Sequence, residues 1–326
     1  MVEGEGGVDP LDAHYRQVAK AMVLEGRVVP LLGAGVNLCG RRASDGWGRG
    51  TRYLPSGAEL AEYLAETFDY PDTARDLVRV SQYVSVVLGD APLYDELHDV
   101  FAADYEPTPL HSFLASVPAV VARQDATPRD RHQLVVTTNY DDALERAFEA
   151  AGEEYDLVAY VADGDDRGKF RHRPPDGDTV VIDRPNEYAG LSLDTRTVIL
   201  KIHGAVDRDD RDRDSFVITE DNYIDYLTRT DISSLVPMTL AAKLKTSHIL
   251  FLGYSMRDWN LRAIFHRIWQ ERKRGYKSWA IQRDPEPIEQ AFWQRRGVDI
   301  LDVDLEEYVV ELQRAAHALG NGASGP

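Results

Sequence analysis

Cysteine and long apolar runs are almost absent from this sequence, and both shortages limit what the protein can be. Its 326 residues include one cysteine, Cys39, so neither an intramolecular disulfide nor a cysteine-based zinc site can form. A single cysteine fits a reducing cytosol. No stretch reaches the roughly 20 apolar residues that a membrane-spanning helix needs, and residues 1–10 lack the apolar core of a signal peptide. We therefore expect a cytoplasmic protein without a membrane partner.

Basic residues are also scarce relative to acidic ones. Lysine and arginine number 37 against 55 aspartates and glutamates, which gives a net charge of −18. This balance disfavours direct nucleic-acid binding, because phosphate backbones attract basic surfaces. The sequence also lacks the Gly-x-x-x-x-Gly-Lys-Ser/Thr loop of ATPases and the Gly-x-Ser-x-Gly turn of serine hydrolases. Neither of these two chemistries is therefore expected.

Short apolar runs typical of buried strands alternate with helical patterns along most of the chain. Val28–Leu32 and Thr197–Ile202 are two such runs. The alternation predicts an α/β fold, a Rossmann-like and mainly parallel sheet with helices on both faces. Residues 54–130 show almost only helical spacing, which indicates a helical insertion. We expect one domain over residues 1–326, with flexible tails at 1–10 and 320–326.

Polar motifs follow four of the predicted strands. They are Gly33-Ala34-Gly35-Val36-Asn37, Thr138-Asn139-Tyr140-Asp141, His203-Gly204 and Gly253-Tyr254-Ser255-Met256-Arg257-Asp258. In an open α/β sheet, ligands bind at the carboxyl ends of the strands, so these tips are expected to converge. Together they offer a backbone cradle for phosphate, an amide, carboxylates and an imidazole. That set suggests chemistry on a nucleotide.

Each motif also has an ordinary structural explanation. The third glycine of a dinucleotide fingerprint is replaced by Leu38, so Gly33 and Gly35 can form a simple tight turn. Asp141 and Asp258 can cap the helices that follow them, and a lone histidine at the end of a strand is more often structural than catalytic. The loop over residues 39–51 has no periodicity, and we expect it to act as a lid or a substrate clamp.

The four motifs, in this order, resemble the sirtuin superfamily, and they look most like its prokaryotic branch of NAD-hydrolysing enzymes. The resemblance runs from about Val28 to Asp258. It implies that NAD is the substrate, that Asn139 contacts the nicotinamide ribose and orients a water, and that His203 is the catalytic base. By the same resemblance, the residues that bind NAD are Gly33, Ala34, Gly35, Asn37, Thr138, Asp141, Gly253, Tyr254, Ser255 and Asp258.

The sequence departs from the sirtuins that remove acyl groups from lysine. Those enzymes carry a four-cysteine zinc ribbon after the histidine, which a chain with one cysteine cannot form. The interval from Asn139 to His203 is longer here, and no Pro-Asp-Phe-Arg sequence follows Gly35. These differences favour an NAD glycohydrolase that releases nicotinamide and ADP-ribose without zinc or another metal. An NAD-dependent deacylase or ADP-ribosyl transferase, and a non-catalytic NAD or ADP-ribose sensor, remain alternatives.

The resemblance also implies a biological setting. Members of this branch include antiviral effectors that deplete NAD, and an enzyme that does so without control is toxic to its own cell. We therefore expect a gated effector of a bacterial antiphage system. Its expected partners are further copies of itself and a second protein, such as a hexameric helicase-type ATPase.

Overall fold

The chain is built around one large sheet. The computed structural model describes residues 9–42, 44–123, 132–228, 236–256 and 275–321. The strands in these ranges are β1 (Val28–Leu32), β2 (Leu134–Thr137), β3 (Tyr155–Tyr160), β4 (Phe170–Arg173), β5 (Val180–Ile182), β6 (Thr197–Lys201), β7 (Gly204–Ala205), β8 (Ser215–Phe216), β9 (His248–Leu252), β10 (Ser278–Ile281) and β11 (Val298–Leu301). The helices are α1 (Pro10–Val23), α2 (Gly57–Thr67), α3 (Leu77–Leu88), α4 (Asp90–Phe101), α5 (Pro109–Ala122), α6 (Ala143–Ala151), α7 (Glu220–Thr228), α8 (Met238–Lys245), α9 (Pro287–Gln294) and α10 (Leu305–Asn321), and a short 3-10 helix, Ala34–Leu38, follows β1.

The large sheet has the order β11-β10-β9-β1-β2-β6-β3-β4-β5. The strands from β11 to β3 all run parallel, and β4 and β5 add an antiparallel edge. The short strands β7 and β8 form a separate ribbon. β1 lies between β2 and β9. The next strand of the large sheet in the chain, β2, is therefore on one side of β1, and the much later strand β9 is on the other side. This arrangement confirms the predicted α/β fold and places a topological switch point beside β1.

Helices cover both faces of the sheet. On one face, Val28 and Leu32 pack in a core with residues of α1, α5 and α10. On the other face, Val29 and Leu31 pack with residues of α7 and α8. Because successive side chains of a strand point to opposite faces, both sets must be apolar. This is why the parallel strands appear as nearly continuous apolar runs in the sequence.

The predicted helical insertion divides into two parts. Helices α2, α3 and α4 form a lobe with its own apolar cluster, which also takes in Tyr140 and Phe216. Helix α5 belongs instead to the layer that covers the sheet. The lobe begins with a capping box, in which the Ser56 side chain accepts from the Glu59 N–H and the Glu59 carboxylate accepts from the Ser56 N–H.

Several details differ from the sequence expectations. Strand β4 has the sequence Phe-Arg-His-Arg, in which arginines alternate with the buried Phe170 and His172, so it lacks the apolar run that marks the central strands. The first helix already starts at Pro10, capped by the Asp9 side chain, and the last continues to Asn321. Among the described residues, no helix is both long and apolar enough to span a membrane.

Candidate active site

The four polar motifs leave the sheet at the same level. Leu32 is paired with Thr137 on one side and with Leu252 on the other, and Thr137 is paired with Lys201. The segments that follow β9, β1, β2 and β6 therefore emerge side by side, beside the switch point. The structure thus brings together motifs that lie up to 220 residues apart in the sequence.

A cavity of about 940 Å³ opens at this edge of the sheet. The predicted site residues that line it are Ala34, Gly35, Asn37, Thr138, Asn139, Asp141, His203, Gly253, Tyr254 and Ser255. Gly33 does not line the cavity, and Asp258 falls outside the described residues. The lobe and α7 supply other parts of the wall, which include Ser56, Leu77, Arg79, Phe101 and Tyr223.

The glycines of the first and fourth motifs allow two loops to touch. A Cβ atom on Gly35 would lie 2.6 Å from the carbonyl oxygen of Gly253, and Gly253 itself has a φ of +72°. The N–H groups of Gly33, Gly35 and Val36 donate to the carbonyls of Leu252, Gly253 and Gly33, respectively. These three donors are therefore already engaged within the protein. The role that the structure shows for the glycines is close packing of the two loops.

The turn that carries Asn139 is tied to both neighbouring loops. The backbone N–H of Asn139 donates to Thr137 Oγ1 at 3.0 Å, and its side-chain Nδ2 donates to the Gly33 carbonyl at 3.3 Å. On the other side, the Tyr254 hydroxyl donates to the Leu32 carbonyl at 2.9 Å and lies 3.0 Å from Thr138 Oγ1. Asn139 is thus buried and fixed where β2 ends.

Three polar atoms of the cavity residues have no hydrogen-bond partner among the described residues. Asn37 Oδ1, Asp141 Oδ2 and His203 Nε2 are buried, and none has a hydrogen-bond partner within the part of the chain that the structure describes. The three residues follow three different strands, and all of them line the cavity. Buried polar atoms in folded proteins almost always have a partner, so three unpaired atoms around one cavity indicate a bound polar molecule. Two acceptors and an imidazole nitrogen suit the hydroxyl groups of a ribose.

The His203 imidazole is held as a neutral base. Its ring lies between the rings of Tyr223 and Tyr226, with centroids 5.4 and 5.6 Å away. Burial lowers the pKa of His203 from 6.5 to about 3, because the charged form loses its hydration. The carbonyl of His203 accepts from Val217 N, next to the β7–β8 ribbon, which fixes the backbone. At neutral pH the imidazole is therefore uncharged, and its unprotonated nitrogen is available as a hydrogen-bond acceptor.

A second cavity, of about 800 Å³, shares a wall with the first. The shared residues are Gly35, Ser56 and Gly253–Ser255. Beyond that wall it reaches the loops after β10 and β11, at Gln282, Arg283 and Asp304. The two cavities therefore adjoin each other at the switch point.

The loop over residues 39–51 is anchored beside the second cavity. Arg41, which lines this cavity, forms an ion pair with Glu59 at the start of α2. The same carboxylate accepts from the backbone N–H of Trp47 at 2.9 Å. The Arg41 guanidinium holds the pKa of Glu59 at about 2, well below its usual value. That the loop works as a lid or clamp stays a prediction.

Some residues of the site were not found by sequence reasoning. Tyr223 and the lobe residues Ser56, Leu77 and Phe101 belong to helices whose patterns look ordinary. Lys201 lies two residues before His203, at the end of the apolar run over residues 198–200, and the sequence pattern gives it no role. It is 1% exposed and contacts the Asn139–Asp141 turn.

The fold and the site together define a class of protein. A family model described as a SIR2-like domain matches residues 133–301, just over half of the chain, and the chain belongs to this family. The first motif lies outside the matched residues, yet the structure places it beside the other three.

Among curated proteins, three relatives have informative names. The chain is 24% identical over 242 residues to "Defense-associated sirtuin 2" of Bacillus subtilis, a match that covers 72% of this chain and 20% of that protein. It is 28% identical over 211 residues to "NAD(+) hydrolase ThsA" of Enterococcus faecium, with 64% of this chain and 35% of that protein covered. For the protein of the same name in Acinetobacter baumannii (strain 532279), identity is 29% over 200 residues, covering 60% and 32%. The matches thus span a fifth to about a third of these relatives' lengths.

Proposed function

We propose that this chain hydrolyses NAD at the bond between nicotinamide and ribose. The observation that carries the proposal is a set of three buried atoms around one cavity, on Asn37, Asp141 and His203, that have no partner within the described ranges of the chain. The name that two of the relatives share, NAD(+) hydrolase, supports it. The membership of the SIR2-like domain family is consistent with the same substrate.

The residues of the cavity suit each step of this hydrolysis. The bond from the ribose C1′ to the nicotinamide nitrogen breaks through an oxocarbenium-like state, and its electron pair leaves with nicotinamide. Nicotinamide departs as a neutral molecule, so no strong acid is needed. Asn139 orients the attacking water, His203 Nε2 accepts a proton, and the carboxylate of Asp141 lies in the same cavity as the developing positive charge. General-base assistance of this kind is worth roughly 10²–10⁴-fold.

The paired cavities suit a dinucleotide. The nicotinamide ribose occupies the first cavity, beside Asn139 and His203. The adenosine half extends past the Gly253–Ser255 wall towards Gln282 and Arg283 in the second cavity. Arg41, Arg42 and Arg283 also line this second cavity and offer positive charge to the anionic linkage between the two halves.

The activity is gated and serves antiphage defence. The name of the Bacillus subtilis relative supports a defence role. NAD depletion without control would harm the cell that makes the enzyme, so turnover depends on assembly of several copies or on a partner protein, such as a helicase-type ATPase. The protein acts in the cytoplasm, where NAD is abundant.

The direct experiment follows nicotinamide release from NAD. The purified chain is incubated with NAD alone, and then with the protein encoded by its neighbouring gene, and the products are identified by mass spectrometry. Free ADP-ribose and nicotinamide in equal amounts are the expected result, and the variants Asn139→Ala and His203→Ala should lose this activity. Binding of NAD without turnover under every condition would support a sensor instead, and O-acyl-ADP-ribose with an acylated peptide would support a deacylase.

A further inference from the structure

A buried lysine lies directly beneath the predicted catalytic residues. Lys201 is the last residue of β6, two positions before His203, and its side chain is 1% exposed. It lies in the middle of the sheet, paired with Thr137 of β2 and Ala159 of β3. Charged side chains are almost never fully buried unless they are paired. The hydrogen-bond partners of Lys201 therefore indicate which segments of the chain it holds in place.

The ammonium group of Lys201 has three acceptors. Its Nζ lies 3.3 Å from the Tyr140 carbonyl, donates also to the Asp141 carbonyl, and lies 2.5 Å from Oε1 of Glu145. An ammonium has three protons, so this set uses all of them. Two of the three acceptors belong to the turn that carries Asn139 and Asp141. The third, Glu145, is in the first turn of α6, which this turn leads into.

Stability of the fold does not by itself account for this arrangement. Two buried charges lose their hydration, and a pair of apolar side chains of the same size often stabilises a core equally well or better. Burial raises the pKa of Glu145, and Lys201 opposes that shift. An apolar residue at position 201 could fill the same space, but it could not hold the carbonyls of Tyr140 and Asp141.

We propose that Lys201 is a positioning residue, whose ammonium group locks the Asn139–Asp141 turn onto β6 and so fixes this turn relative to His203. One side chain thereby joins the two halves of the predicted catalytic pair, which come from different strands. Lys201 does not line the cavity, so it acts through the turn. As a statement about catalysis, this role rests on the proposed hydrolysis of NAD.

The test separates positioning from stability with three variants. Lys201→Met removes the ammonium and keeps the length of the side chain. The double variant Glu145→Leu with Lys201→Met removes both charges and leaves no buried charge without a partner. Arg196→Met is the matched control, because Arg196 pairs with the buried Asp156 at the opposite end of β3 and β6, outside the cavity. Each variant is compared with the parent in thermal unfolding and in kcat and KM for nicotinamide release.

The expected pattern is a loss of turnover that does not follow stability. Lys201→Met lowers both Tm and kcat, whereas the double variant recovers part of the lost Tm, because Glu145 is no longer a buried charge without a partner, but keeps a kcat at least tenfold lower than the parent, with KM within threefold. Arg196→Met lowers Tm and leaves kcat within twofold of the parent. Recovery of kcat to within twofold in the double variant would overturn the proposal, as would an equal loss of kcat in Arg196→Met.

A second measurement needs no turnover. Hydrogen exchange of peptides spanning residues 138–145 is followed by mass spectrometry in the ligand-free parent and variants. We expect exchange at least tenfold faster in both Lys201 variants and unchanged in Arg196→Met. Unchanged exchange in the Lys201 variants would overturn the positioning role, even if the parent released no nicotinamide and the proposed function itself failed.

Discussion

The two ends of the central sheet carry the same kinds of buried polar side chain in opposite states. At the carboxyl end, His203 Nε2 and Asp141 Oδ2 have no partner among the described residues. Towards the amino end, both ring nitrogens of His172 are hydrogen-bonded, to Asp156 at 3.0 Å and to the Tyr188 hydroxyl at 2.6 Å. Both histidines are therefore buried, and they differ in their hydrogen bonds. Nε2 of His203, beside the cavity, has no partner among the described residues, whereas both ring nitrogens of His172 do.

The pKa shifts at the two ends of the sheet also have different causes. Burial pushes the pKa of Asp156 upwards, but the hydrogen bonds from His172 and Arg196 outweigh it, and the pKa is lowered overall. His203 has no such compensation, so desolvation alone lowers its pKa to about 3. The described polar groups at the amino end are paired with one another, whereas at the carboxyl end we propose that a ligand supplies the missing partners. The predictions below test this contrast.

The largest expected effect is the loss of activity in His203→Ala. Removal of the base should lower kcat for nicotinamide release by about 10²–10⁴-fold. Because His203 Nε2 has no hydrogen bond to any residue that the structure describes, the variant should stay folded, and the expected cost is the loss of the ring contacts to Tyr223 and Tyr226. Steady-state kinetics and thermal unfolding measure the two quantities. Turnover at the parent rate would show that His203 is not the base.

The matched change at the other end is His172→Ala. It removes the same atoms from a buried site but breaks two hydrogen bonds and leaves Asp156 less well paired. We expect it to lower the free energy of unfolding by about 2–3 kcal/mol more than His203→Ala does, with kcat within twofold of the parent. Denaturant unfolding checks the first value. Equal destabilisation by the two substitutions would contradict the proposed difference between His172 and His203.

A smaller effect is expected for Asn37→Ala. The Oδ1 of Asn37 has no hydrogen-bond partner among the described residues and lines the cavity, so we expect it to bind a ligand. The variant should then bind ADP-ribose about tenfold more weakly, as the loss of one hydrogen bond of about 1.4 kcal/mol would give. Its Tm should not fall by more than the small loss of packing explains. Calorimetry of ADP-ribose binding measures the effect, and Val36→Ala, a change in the adjacent buried apolar residue, is a control for packing.

The smallest expected change is in the pH profile of kcat/KM. Because the folded pKa of His203 is about 3, the base stays neutral and kcat/KM should vary by less than about twofold from pH 8 to pH 5. A drop with a midpoint near 6.5 would contradict the lowered pKa. Stability depends on pH with the opposite sign to that of a histidine in an ion pair, because burial here disfavours the protonated form. Between pH 6.5 and about 3 the unfolded chain binds a proton that folded His203 does not, so stability falls as pH is lowered through this window.

The sequence allowed the class of fold and the convergence of the four motifs to be predicted. The central parallel strands β1, β2 and β6 are buried on both faces, so their apolar runs are visible, and the residues after each run must lie at the carboxyl edge. The predicted residues Asn37, Asn139 and His203 all line one cavity for this reason. Their chemical roles stay predictions.

The remaining features depend on contacts between distant segments. The helical pattern of α2 and α3 identifies which face is buried but not that Ser56 and Leu77 meet the cavity. Likewise, nothing in the sequence pairs Lys201 with Glu145, because one is in a strand and the other in a helix 56 residues earlier. The close contact of Gly35 with Gly253 was also hidden, and it engages N–H groups that had been expected to face phosphate.

The adjacency of β1 and β9 has a consequence for how the protein is made. A nascent chain on the ribosome carries Asn139 and His203 well before β9 is synthesised, but it does not yet have Gly253–Ser255, the wall shared by both cavities. The binding site is complete only when β9 has docked beside β1, at a sequence separation of 220 residues. Translation order thus delays assembly of the candidate site until most of the chain has emerged, and fragments that end before β9 lack the wall that both cavities share.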